Sequence, residues 1–149
     1  MSIHEEAGLI LKLYELRREE TMRKARDWFF LEFHPKSMAD IQSALFSEHS
    51  GHMRMVTTYW DMAAALVNRE AISLDFYLDT NGEHIGVFAK MEPFLEETRA
   101  MFGPQYLANL EKLIDATPGG RERTAEARER IKAIRAELAE RQAQAVGAS

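Results

Sequence analysis

Five histidines and no cysteine set the limits of the chemistry available to this 149-residue chain. Without thiolates there is no disulfide, no cysteine nucleophile and no sulfur-based zinc site, so any metal chemistry falls to imidazoles and carboxylates. His49 and His52 are three residues apart, a spacing that can set two rings on one side of a helix start. Asp61, with His34 or Glu48, could complete such a site. The plainer reading is that a Ser/His/Gly-rich link between helices carries exposed histidines, and no metal or cofactor is expected. Asp61 lies between Trp60 and an apolar run, where burial would raise its pKa unless a cation compensates. Its expected role is a salt bridge to Arg54, Arg69 or Arg99 that ties two helices together.

Familiar catalytic patterns are missing. A di-iron bundle needs Glu-x-x-His, yet the residues three before the five histidines are Met1, Leu31, Phe46, His49 and Asn81. His4-Glu5 is followed by Glu6, Ala7 and Gly8, so the zinc-protease pattern fails, and no Walker loop, Gly-x-Gly-x-x-Gly or Gly-x-Ser-x-Gly elbow is present. No catalytic residue is therefore assigned, and the chain is not read as an enzyme. A net charge of −5 would repel a phosphate backbone. Residues 38–66 resemble a helix-turn-helix, but the would-be recognition helix offers only Arg54 and Arg69 as cations, so a weak DNA-binding regulator stands as a further alternative.

The elements that must position these residues read as helices. Apolar positions recur at Leu9, Leu13 and Leu16, then Met22, Ala25, Phe29 and Phe33, which predicts one long amphipathic helix over residues 3–33, stopped before Pro35. Its polar face carries Glu19 ahead of Arg23 and Glu20 ahead of Lys24. Ser37 is expected to cap a short helix over 38–46, and Val56, Tyr59, Trp60, Ala63 and Val67 mark a strong helix over 51–69. Residues 71–88 are ambiguous. Ile72, Leu74, Phe76 and Leu78 alternate ahead of Asn81-Gly82 like a hairpin, but Ser73 is also a good cap for a short helix ending near Asp79. Asn81 could cap a helix running to Phe102, kinked at Pro93. A short helix over 105–116 precedes Thr117-Pro118-Gly119-Gly120, the clearest break.

Beyond that break Ala127, Ile131, Ile134 and Leu138 follow a 4-3-4 step suited to a narrow seam between helices. The organisation read from this is a bundle domain over residues 1–117 and a linker with a charged helix over 118–149, docked lightly on its own domain or paired with another chain. No apolar run approaches the ~18 residues of a membrane span, and no signal peptide is legible, so a cytoplasmic protein without a membrane partner is expected.

From Met22 to Ile114 the chain resembles an uncharacterised bacterial all-helical domain family of unknown function. The resemblance rests on Tyr59-Trp60-Asp61, Leu66-Val67-Asn68-Arg69, Ile72-Ser73-Leu74, the run from Met91 to Arg99, Gly103-Pro104-Gln105-Tyr106 and Asn109-Leu110-Glu111-Lys112-Leu113. It implies helix rather than hairpin for residues 71–79 and supplies no activity. Such relatives commonly carry a glutamate where this chain has Asp61.

The expected fold is all-α: an irregular bundle with a long N-terminal helix and an extended C-terminal amphipathic helix. The expected function is a non-enzymatic interaction or scaffold protein, a homo-oligomer or a binder of a protein partner through helical faces. Its expected interface is Trp28, Phe29, Phe30, Ile131, Ile134 and Leu138, which look like more apolar surface than one small core can cover. The alternative is a metal- or small-molecule-binding protein using His49, His52 and Asp61.

Overall fold

The computed structural model describes residues 2–147, and all of its regular structure is helical. In chain order the helices are α1 (Ile3–Arg17), α2 (Glu20–Leu31), α3 (Met38–Leu45), α4 (Ser50–Asn68), α5 (Leu74–Thr80) and α6 (Glu83–Met91). A 3-10 turn (Glu92–Phe94) follows, then α7 (Leu95–Phe102), α8 (Ala108–Ala116) and α9 (Gly120–Gly147).

The single N-terminal helix expected over 3–33 is two. Glu19 breaks it by leaving the helical region at φ −58°, ψ 144° and accepting a hydrogen bond from the Met22 amide at 3.1 Å. The Thr21 and Met22 amides hold the Glu19 carboxyl below its usual pKa. Apolar periodicity continues across the break, so it could not reveal a side chain that bonds its own backbone instead of Arg23. The Glu20–Lys24 pair does form, at 3.2 Å.

The break lets α2 lie along α4, and α4 in turn packs on α8; these three helices frame the core. Trp60, Val56, Ala63 and Ala64 from α4, Ala25 and Phe29 from α2, and Leu110, Leu113 and Ile114 from α8 are buried there. Small residues at 63 and 64 permit the close approach that the sequence suggested. The buried α6 packs against α4 and α8 on one side and α9 on the other.

Ser37 caps α3, accepting from the Asp40 amide at 3.4 Å while Asp40 accepts from the Lys36 amide at 2.8 Å. Residues 71–88 hold no strand. Leu74, Phe76 and Leu78 pack on the core from α5, Tyr77 is buried, and Ser73 sits at the cap position but turns its N–H to Glu6 instead. The helix expected over 81–102 is interrupted more severely than a kink. Pro93 lacks an N–H to continue the ladder, and the chain passes through the 3-10 turn before resuming as α7. Gly82, not Asn81, occupies the cap position of α6.

At the break before α9 both glycines are required by geometry. Gly119 has φ +64°, and a Cβ on Gly120 would sit 1.9 Å from the Ile114 carbonyl oxygen. That contact seats the start of α9 against α8. Arg121 completes the junction by pairing with Asp115 at 2.7 Å, Glu111 at 2.9 Å and Glu92 at 2.7 Å.

Candidate functional site

The three metal candidates do not converge. His49 precedes α4 and stacks on Trp28, ring centroids 5.1 Å apart and planes 19° from parallel, and Trp28 stacks on Phe33 in the same way at 4.9 Å. His52 lies 5.6 Å from His49, and the Nδ1 atoms of both are buried without a hydrogen-bond partner. Asp61 is nine residues further along the same helix, about 13.5 Å away along its axis. It accepts from the Leu110 amide at 2.8 Å and from the Asn109 side chain at 3.1 Å. The expected arginine pair is replaced by a cap: Asp61 on α4 satisfies an orphan N–H in the first turn of α8. Among the described residues no group of three or more histidine and acidic side chains is placed to hold a metal ion.

A polar cluster that no motif foreshadows lies where α2, α4 and α6 meet. Glu83 accepts from Arg26 through both Nε and Nη2 at 2.8 Å and from Trp60 Nε1 at 3.0 Å. Arg17 donates to Asn81 at 3.1 Å, and the Tyr59 hydroxyl donates to the Leu13 carbonyl. Behind this latch His84 is fully buried with both ring nitrogens unpartnered, its ring edge-on to Tyr77 at 5.0 Å. Burial, then Arg123, pushes its pKa down to about 4. Such a histidine stays neutral at physiological pH and acts as a core residue. The only local signal, Glu83 and His84 after Asn-Gly, resembles an ordinary helix start.

The expected interface residues divide. Trp28 and Phe29 are buried within the chain's own core, so they offer no surface to a partner, contrary to expectation. The two aromatic faces of α2 are covered by the His49 region on one side and by α6 on the other. Phe30 is partly buried. The seam on α9 behaves differently. Its first turns pack on α6 and α8, burying Thr124 and Ala127. Ile131 is half-buried, and from residue 132 to 147 every position is exposed. Ile134 is 54% and Leu138 43% exposed, and Leu31, at the end of α2, is 62% exposed beside them. With Phe30 and Ile131 these side chains line a groove of about 610 Å³ between α2 and the outer half of α9. That groove is the candidate site; Glu32, His34, Arg135 and Gln142 line it beside the apolar side chains. No helix among the described residues is long and apolar enough to cross a membrane.

The chain matches no curated protein and no solved structure. The match to a family model stops at Thr117, so it includes the core, the Asp61 cap and the Glu83 latch, and leaves α9 outside. Over residues 2–117 the match is to a domain of unknown function, DUF4760, and the chain belongs to that family.

Proposed function

We propose that this protein is an interaction protein that self-associates through the outer half of α9, with the groove beside Leu31 as the contact surface. The observation that carries this reading is a helix of 28 residues, about 42 Å long, whose outer sixteen residues are all exposed yet keep Ile134 and Leu138 in register with Ile131. An isolated helical stretch of that length is marginal in water, and packing of its apolar face ordinarily stabilises it. The seam on α9 forms one wall of the groove, so a second copy related by a twofold axis brings the same stripe against itself. This is the self-complementary geometry of most soluble dimers.

The test is mass by light scattering during size-exclusion chromatography. The full chain is expected at about twice 17.1 kDa. A chain carrying Ile134→Asp and Leu138→Asp is expected at the monomer mass with its bundle intact by near-ultraviolet circular dichroism. A monomer for the unsubstituted chain across the micromolar range rules the reading out.

A further inference from the structure

On the other side of Ile131 lies a second cavity, of about 460 Å³, between α6, α9 and the segment that leaves α2. Its size is that of a small-molecule site. The chain holds 24 acidic and 19 basic residues, yet the ionisable groups lining this cavity are all basic. α9 contributes Arg128, Lys132 and Arg135, which with Ile131 form one helical face at i, i+3, i+4 and i+7. His34 and Lys36 come from the segment after α2, and Lys90 from α6.

Lys90 is the unusual member. It is only 8% exposed and has no carboxylate partner among the described residues. Its ammonium donates to the Phe29 carbonyl at the end of α2 and lies over the rings of Phe29, Phe30 and Phe33 at 4.9, 5.7 and 5.6 Å. A cation at a helix C-terminus is favourable, and aromatic faces help, but neither neutralises the charge. Burial, then Arg135, lowers the Lys90 pKa to about 7. Around it, Arg128 is held by Glu92 at 2.5 Å and Lys132 loosely by Glu129 at 3.4 Å. Lys36 and Arg135 have no ion pair within 4.0 Å among the described residues, and burial and the neighbouring cations hold the His34 pKa down. A negative group entering this space would relieve the mutual repulsion of all of them.

The rest of the wall restricts what can enter. Pro35, Ala89, Pro93, Phe94 and Ile131 are apolar. The helix end that meets Lys90 is the carbonyl end of α2, whose partial negative charge disfavours the several charges of a phosphate. We propose that this cavity binds a small carboxylate with an apolar body, the carboxylate between Lys90 and Arg135 and the chain along Phe94, Pro93 and Ile131.

Titration calorimetry of the full chain with sodium octanoate at pH 8, in two buffers of different ionisation heat, tests this. Octylamine and inorganic phosphate are the comparison probes. Saturable one-to-one binding of octanoate alone is expected, with uptake of up to one proton, because the bound carboxylate draws Lys90 back to its charged form. Affinity should fall as the pH is raised from 7 to 9. Arg135→Gln, on an exposed side chain, should weaken binding roughly tenfold, and Lys90→Met should abolish the proton uptake. The proposal is overturned if octanoate does not bind or if octylamine or phosphate binds as well. It is also overturned if Arg135→Gln leaves the affinity unchanged, or if octanoate binds the unsubstituted chain without proton uptake. The proton count does not depend on how many copies associate, so this outcome is separable from that of the self-association experiment.

Discussion

Three side chains show how burial and partners fix the role of a residue. Asp61 is a carboxylate whose value lies in the α8 amides it receives, so Asp61→Ala should cost about 1–2 kcal/mol in urea denaturation. An unchanged midpoint would mean that water caps α8 equally well. His84 is held neutral, with a folded pKa near 4 against an ordinary value of 6.5. Its contribution is complete above about pH 6.5 and is lost as the pH falls towards 4, when the unfolded chain takes up the proton that the core refuses. That loss is roughly 3 kcal/mol. The variant His84→Leu should flatten the decline in stability over this interval, and a slope equal to that of the unsubstituted chain would contradict the assignment. Lys90 has the same direction of shift at higher pH. Its charged form is favoured in the unfolded chain up to about 10.5, so the folded state is penalised increasingly as the pH falls from there to 7. Lys90→Met is expected to raise stability at pH 7 by on the order of 2 kcal/mol, an advantage that shrinks by pH 10.

At the scale of the element, the junction between α8 and α9 is the tightest feature. Gly120→Ala would drive a methyl group into the Ile114 carbonyl and force α9 away from α8. A loss of about 2–3 kcal/mol is expected from thermal or chemical denaturation, at the upper end of what overpacking costs. The same substitution at Gly51, where a Cβ would meet nothing within 4 Å, serves as the comparison and should be neutral or slightly stabilising. The split of α1 from α2 belongs to this scale as well. Glu19 caps α2, and the Arg26 guanidinium closes α1 by donating to the Arg17 carbonyl at 3.2 Å. One residue thus ends one helix and latches the next onto Glu83.

For the whole molecule, the acid limb of stability combines several groups of one sign. Arg121 first, and Arg99 beside it, holds the Glu111 carboxyl below its usual range, and Arg121 does the same for Asp115. These contributions are present above the ordinary carboxylate pKa and are lost as the pH falls through the lowered values, joining the loss from His84. If α9 pairs two copies, the melting temperature must also rise with protein concentration, because association favours the folded state by mass action. Calorimetry across a hundredfold concentration range is expected to show that rise in the full chain and not in the doubly substituted Ile134→Asp, Leu138→Asp chain.

The sequence by itself determined the helical class, because apolar spacing of three and four residues, Ser37 at a cap and the Pro and Gly breaks are local properties of the backbone. It also marked the apolar stripe of α9, since isolated Ile131, Ile134 and Leu138 stand out on a charged helix. The break at Glu19, the burial of Trp28 and Phe29, the cap from Asp61 to α8 and the basic cavity at Lys90 were decided by tertiary packing. Periodicity states which face of a helix is apolar but not which neighbour covers it. Nor can spacing along the chain place Lys90 beside Arg135 until the helices have docked.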